Sequence, residues 1–150
     1  MKIVKLRGAL SVIAVLILSV PSVRSEQSAP DVALRSTGLF ALGGIGAAGS
    51  MSEGERALRE ILRESDGAAP LEKLLSDASP AGQLYALLGL RGRDRAAYER
   101  ALGKLRTTNA KVHTARGCIL SEESFGDLVK EIERGLYDNF LAREWPKNAR

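Results

Sequence analysis

From Ser52 onward, this chain is a succession of short segments in which leucine and other apolar residues recur at helical spacing. Ser52 stands three residues before Glu55, which is the spacing of a capping box, and Ser79 is followed by Pro80, which suits a first helical turn. Apolar residues at positions i, i+3 and i+4 predict helices that each bury one face. Because each face must pack against a neighbour, the sequence predicts an all-α fold, a single small domain of five or six short amphipathic helices.

Two further expectations concern the C-terminal third of the chain. Ser121, followed by Glu122 and Glu123, predicts a helix start, because carboxylates are favourable where the helix dipole is positive. Residues 107–120 have no helical period and include a glycine, so they are interpreted as a long connection that is briefly extended around 111–114.

The stretch LEKLLSDASPAGQLYALLGL, residues 71–90, has a leucine-patterned segment, a turn with Asp and Pro, and a second segment with small residues and leucine. The residues that carry this pattern are Leu71, Leu74, Leu75, Asp77, Pro80, Ala86, Leu87 and Gly89. The stretch resembles a HEAT-type helical repeat unit, although Gly82-Gln83 replaces the usual Val-Arg pair at the start of the second helix. Stacked architectures need at least three units, and this sequence has one. The resemblance implies a pair of helices that serves as a scaffold for binding another protein.

The first 25 residues contain no acidic side chain and four basic ones, Lys2, Lys5, Arg7 and Arg24. The apolar run at 9–20 is shorter than the ~20 residues that a helix needs to cross a bilayer, and Pro21 ends it. This layout predicts a cleavable signal peptide at 1–25, and therefore a periplasmic or secreted protein. An uncleaved amphipathic anchor is the alternative.

The composition suggests a division of the remaining chain. A polar segment at 26–37 is predicted to be a flexible tether, and an apolar, glycine-rich segment at 38–51 precedes the helical domain at 52–146 and a tail at 147–150. Without the leader, 18 basic residues balance 18 acidic ones. The expected mature protein is therefore formally neutral.

Gly44, Gly46 and Gly49 match the GxGxxG spacing of a dinucleotide-binding turn. The later sequence lacks the alternation of strands and helices that would complete a nucleotide site, so no cofactor is predicted. This segment is expected to pack closely on the helices. A flexible apolar strip that contacts a partner or a membrane surface is the alternative.

The sequence contains one histidine, His113, and one cysteine, Cys118. A single cysteine cannot form an internal disulfide, and it is expected to be a small buried hydrophobe, with an intermolecular disulfide or a reactive thiol as alternatives. A thiolate–imidazole pair would need both side chains within hydrogen-bond reach and a third group to orient them. One His and one Cys also fall short of a zinc site, so no catalytic and no metal-ligating residue is predicted.

Basic charge is concentrated in residues 91–118, where eight basic residues stand against Asp94 and Glu99. An acidic protein or an anionic envelope polymer would complement this stretch, and pairing with acidic helices of the same chain is the alternative. Export and the presence of only one aromatic residue in the stretch, Tyr98, argue against nucleic acid. The predicted partner-binding residues are Arg91, Arg93, Arg95, Arg100, Lys104 and Arg106.

Together these patterns predict an exported, non-catalytic helical domain that binds another protein as a scaffold or adaptor. One alternative is a small envelope enzyme that uses Cys118 and His113, and another is a structural subunit of a homo-oligomer, held through its Trp145 and Phe140 end. Contact with a membrane surface is compatible with the sequence, whereas a membrane span is not expected after cleavage.

Overall fold

The structure is a computed structural model that describes residues 29–64 and 67–145. The predicted signal peptide at 1–25 lies outside the described residues. Seven helices and five strands are found in the part of the chain that is described. In chain order they are α1 (Pro30–Ser36), β1 (Leu39–Phe40), β2 (Gly44–Ile45), β3 (Ser50–Met51), α2 (Glu53–Arg63), α3 (Ala68–Asp77), α4 (Pro80–Arg93), α5 (Arg95–Leu105), β4 (Lys111–Arg116), β5 (Ile119–Ser124), α6 (Phe125–Glu133) and α7 (Asp138–Leu141).

The fold is mixed α/β, so the prediction of an all-α domain is wrong. β4 and β5 form an antiparallel hairpin, and β1 pairs in parallel with β4, which gives a three-stranded sheet of order β1–β4–β5. The hairpin pairs residues from Lys111 with Ser124 to Arg116 with Ile119. Strand pairing thus takes the backbone groups that the predicted helix start at Ser121 would have used, and α6 begins at Phe125 instead.

A two-residue turn, Gly117–Cys118, joins β4 to β5. Gly117 has a φ of +59°, in the left-handed region that two-residue hairpin turns use and that glycine adopts without steric cost. Cys118 is exposed at this turn. The expectation of a buried cysteine is therefore wrong, because the turn points it away from the core.

The glycine-rich segment at 38–51 divides into a buried and an exposed part. Phe40, Ala41 and Leu42 lie in the core, whereas residues 44–51 form the small β2–β3 hairpin with an exposed turn. The next helix begins at Glu53, after this hairpin, so the GxGxxG residues do not form the strand–turn–helix of a dinucleotide site. The expected close packing is therefore found for Phe40, Ala41 and Leu42, whereas residues 46–51 are exposed.

The segment at 26–37, interpreted as a flexible tether, contains α1 from residue 30 onward. Pro30 occupies the first helical turn, and the side chain of Leu34 is fully buried. α1 packs against α2, α3 and α4. The interpretation of this segment as a flexible tether is therefore wrong from residue 30 onward. One apolar face is enough to dock a short helix whose other residues are mostly polar.

α4 is the centre of the domain. Every residue from 84 to 90 is buried, because α4 contacts five other helices of the described chain and two strands of the sheet. A helix that is buried on all sides can be apolar on all sides. The ring of Trp145 lies over Gly92, where a Cβ atom would be 2.1 Å from the ring. The C-terminal segment is thus packed directly on α4.

Tyr85 of α4 connects the residue after β1 to the start of α2. Its hydroxyl accepts a hydrogen bond from the amide of Ala41 at 2.8 Å, donates to the Ala41 carbonyl at 2.7 Å and lies 3.1 Å from Ser52 Oγ. Ser52 caps α2 by accepting from the amide of Glu55 at 3.0 Å, which confirms the predicted cap. The Glu55 carboxylate accepts from the amide of Gly43 at 2.8 Å, so this contact takes the place of a closed capping box.

Alkaline pH is expected to destabilise the protein partly through Tyr85. Burial is the largest effect and raises the pKa of Tyr85 to about 12, although its hydrogen bonds with Ser52 and Ala41 lower it. Since the unfolded tyrosine has a pKa of about 10, this contribution to stability is fully present below about pH 10 and is lost as the pH rises towards about 12. Urea unfolding across this window should show a smaller loss in Tyr85→Phe than in the natural chain. Equal losses in both proteins would contradict this role for Tyr85.

Candidate functional site

A cleft of about 470 Å³ opens between the β1–β2 segment, the end of β4 and the segment from α6 to α7. We call it the apolar cleft and define it by residues 40–44 and 114–117 with Glu131, Leu136, Tyr137 and Phe140. Phe140 lies over Gly43, where a Cβ atom would be 2.7 Å from its ring. Gly43 also has a φ of +84°, so glycine suits this position both by its backbone conformation and by the close approach of Phe140.

Exposed apolar side chains gather around this cleft. Six large apolar side chains are exposed among the described residues, and Val32 on α1 is the one that lies elsewhere in the sequence and the fold. The other five lie in the cleft lining or next to it in the strand register or the chain. We call these five the apolar rim: Met51, Ile119, Leu120, Leu136 and Phe140.

The β4–β5 hairpin extends the apolar rim beyond the cleft. β5 is an edge strand of the sheet, and its first four residues are exposed. Ile119 stands directly across from Arg116 and shares its face of the hairpin, whereas Leu120 points to the opposite face. These two side chains are 69% and 77% exposed. Glu122 and Glu123 protect the second half of the edge from pairing with other strands, but the first half has no such charge.

A polar network forms one wall of the cleft. Arg116 donates hydrogen bonds to Glu131 at 2.8 Å, to Glu123 at 3.2 Å and to the hydroxyl of Tyr137 at 3.3 Å. Tyr137 also donates to Glu131, and Thr114 donates to Glu123 at 2.6 Å. Burial and then the Glu131 contact raise the pKa of Tyr137, so the phenol stays protonated at neutral pH. The network carries two carboxylates against one guanidinium.

His113 and Cys118 are not brought together as a nucleophile and base. His113 is paired with Glu122 in the hairpin, three residues before the end of β4, and Cys118 lies in the turn. Within residues 29–64 and 67–145, no hydrogen bond joins these two side chains. The contact that a thiol enzyme using Cys118 and His113 would require is therefore not seen in the described part of the chain.

Residues 29–64 and 67–145 contain no group of three or more His, Cys, Asp or Glu side chains placed to hold a metal ion. In the same residues, no helix combines the length and the apolar character that crossing a membrane requires.

Most of the predicted partner-binding residues take part in ion pairs within the domain. Arg93 instead donates a hydrogen bond to the carbonyl oxygen of Glu64, and Lys104 is exposed on α5. The ion pairs match the alternative in which the basic stretch pairs with acidic residues of the same chain. The four ion pairs are Arg91–Asp138, Arg95–Glu99, Arg100–Glu72 and Arg106–Glu133.

The residues of the apolar cleft were not predicted as a site from the sequence. Its lining comes from three separate parts of the chain, and none of them has a recognisable motif. One local signal was present: Gly117 has the position of the glycine that opens a two-residue hairpin turn, between the segments at 111–116 and 119–124.

The helix pair α3–α4 is present where the sequence resembles a HEAT-type unit, and the two helices pack against each other. A pair of this kind is common to many helical folds. Comparison of the chain with models of known protein families, with curated proteins and with solved structures gave no match.

Proposed function

We propose that this protein is an exported, non-catalytic binding domain that takes an extended apolar segment of another protein into the apolar cleft. Export is inferred from residues 1–25. The observation that supports the binding role is the concentration of exposed large apolar side chains around one cleft. Exposed apolar surface is unfavourable in water, and a contiguous patch is typical of a surface that another molecule covers.

The extent of the apolar rim favours a protein segment over a small molecule. A volume of about 470 Å³ would suit a small ligand, but Leu120 lies outside the cleft on the other face of the hairpin. A ligand confined to the cleft would leave this side chain in water. The unpaired edge of β5 can in addition hydrogen-bond the backbone of an extended segment, as in β-strand addition.

The charges around the cleft indicate which segment would fit. The polar network has an excess of one negative charge, and Glu122 is exposed on the neighbouring strand. A segment with Lys or Arg beside its apolar residues would complement both features. This proposal differs from the acidic partner expected from the sequence, because most of the basic stretch on which that expectation rested is paired within the domain.

A peptide-display experiment tests the proposal. Random 12-residue peptides are selected on the natural protein, and the affinity of the best peptide is measured for the double variant Ile119→Ser, Leu136→Ser and for Val32→Ser. We expect the double variant to bind at least about tenfold more weakly, since it removes two apolar contacts. Val32→Ser should bind like the natural protein. Both replaced side chains are at least half exposed, so the double variant should retain its thermal stability.

Three results would contradict the proposal. The first is selection that enriches no peptide, and the second is equal binding by the natural protein and the double variant. The third is a loss in Val32→Ser as large as in the double variant, which would mean that apolar surface anywhere on the domain attracts the peptide.

A further inference from the structure

A second cavity, of about 660 Å³, shares no lining residue with the apolar cleft. We call it the arginine pocket. Its described lining consists of Met51, Leu62, Glu144 and four arginines, Arg59, Arg63, Arg93 and Arg143. Four guanidinium groups around one cavity carry a concentration of positive charge that needs an explanation.

The arginines come from three separate parts of the chain. Arg59 and Arg63 belong to α2, Arg93 is the last residue of α4, and Arg143 follows α7. A cation is favourable near the C-terminus of a helix, which accounts for Arg63 and Arg93 taken singly. The helix dipole does not explain why Arg63, Arg93 and Arg143 all line the same cavity.

Arg59 lines the pocket and is held in place by hydrogen bonds. It donates to Glu55 at 2.7 Å and 3.0 Å, to Glu144 at 2.8 Å and to the carbonyl oxygen of Phe140. Burial lowers the pKa of Arg59, but the hydrogen bonds and charges of Glu55 and Glu144 outweigh this effect, and the pKa is raised overall. Arg59 therefore stays charged, with most of its donors already in use.

The other three arginines have donors to spare. Arg63 donates to Glu144 at 3.2 Å, and Arg93 donates to the uncharged carbonyl oxygen of Glu64. Arg143 makes no hydrogen bond and no ion pair within residues 29–64 and 67–145. Each guanidinium has five N–H donors, so most of those on these three side chains lack an acceptor in the described chain.

The charge balance of the pocket is positive. Glu144 lies in the lining and Glu55 lies behind Arg59, so these two carboxylates leave a net charge of +2 from the four guanidinium groups. An anion with two negative charges would neutralise this excess. The planar guanidinium fork matches the spacing of phosphate oxygens.

We propose that the arginine pocket binds the phosphate group of an organic phosphate. Arg63, Arg93 and Arg143 donate to the phosphate oxygens, and Arg59 provides fixed positive charge behind them. The cavity is larger than a phosphate group, and Met51 and Leu62 give it an apolar wall. The ligand therefore has an organic part that packs on this wall. This inference does not depend on the apolar cleft, and either proposal can fail alone.

Calorimetric titration of the purified, full natural protein with glycerol 1-phosphate tests the pocket. We expect saturable binding that weakens about tenfold in Arg63→Gln and about tenfold in Arg143→Gln. Arg100→Gln is the matched control, because Arg100 and Arg63 are 63% and 65% exposed and each contacts one carboxylate. The control should bind like the natural protein. Absence of saturable binding, or an equal loss in Arg100→Gln, would overturn the proposal.

Two further probes identify the source of the phosphate. Inorganic phosphate should bind more weakly than glycerol 1-phosphate if the organic part packs on the apolar wall; equal affinities would overturn that part of the proposal. Phosphatidylcholine vesicles that contain phosphatidylglycerol present the same group on a lipid. Vesicle binding that is weakened in the double variant Arg63→Gln, Arg143→Gln, but not in Arg100→Gln, would identify a lipid headgroup. Vesicle binding that is unchanged in the double variant, together with specific binding of glycerol 1-phosphate, would identify a soluble ligand.

Discussion

Gly82→Ala is expected to lower the free energy of unfolding by about 3 kcal/mol. A Cβ atom at this position would lie 2.0 Å from the carbonyl oxygen of Leu34 and 2.8 Å from the Cβ of Ala78. The oxygen belongs to the backbone of α1 and cannot swing aside like the end of a flexible side chain. α1 must therefore move away from α4, which weakens the packing around Leu34. Equilibrium unfolding in urea measures this loss.

Gly103→Ala is the control for this prediction. Gly103 is an exposed residue of α5, and no atom lies within 4 Å of the place where its Cβ would be. Alanine there should stabilise the protein by about 0.5–1 kcal/mol, because it favours the helix and meets no obstacle. Similar stabilities for Gly82→Ala and Gly103→Ala would show that α1 does not dock on α4 as described.

Arg59→Ala is expected to destabilise the protein by about 3–5 kcal/mol. The side chains of Glu55 and Glu144 are 2% and 6% exposed, and both lose their main cationic partner when Arg59 is removed. An uncompensated buried carboxylate is costly in free energy. The substitution also removes the hydrogen bond to the Phe140 carbonyl, which ties the α7 segment to α2. Thermal unfolding measures the loss, and amide exchange at residues 137–145 should increase.

Arg95→Ala provides the comparison for Arg59→Ala. Arg95 pairs with Glu99 on the surface of α5, and the two side chains are 70% and 50% exposed. A pair of this kind contributes roughly 0–1 kcal/mol in water. If Arg59→Ala were as mild as Arg95→Ala, the contacts of Arg59 with Glu55 and Glu144 would not stabilise the fold.

The helical part of the fold could be predicted because its signals are local. The side chains of Ser52, Ser79 and Asp94 accept hydrogen bonds from backbone amides three residues ahead, at the starts of α2, α4 and α5. A cap of this type lies within a few residues of the sequence, and the apolar spacing that follows it repeats with each turn. Both features are visible without knowledge of the rest of the chain.

The sheet could not be predicted because its pairing is not local. β1 has two residues, and its partner on β4 lies more than seventy positions later in the sequence. Ser121, Glu122 and Glu123 have the local pattern of a helix start, but the ladder with β4 satisfies their backbone groups. Tertiary pairing thus overrides a local preference, as is common for strands.

The candidate sites show the same limit. The basic stretch is visible in the sequence, but the carboxylates that pair with Arg100 and Arg106 come from α3 and α6. Arg93, a predicted partner-binding residue of that stretch, lies with arginines of α2 and of the segment after α7 in one pocket. These residues are far apart in the sequence, so only the folded structure shows that they lie together.

Amide hydrogen exchange with a selected peptide bound is the most direct test of the apolar cleft as the binding site. The peptide should slow exchange in residues 40–44, in the hairpin at 114–120 and in the segment at 136–140. Exchange in α3 and α5 should stay unchanged, because neither helix contributes to the cleft lining. Slowed exchange in α3 and α5 without any change in the hairpin would contradict the account.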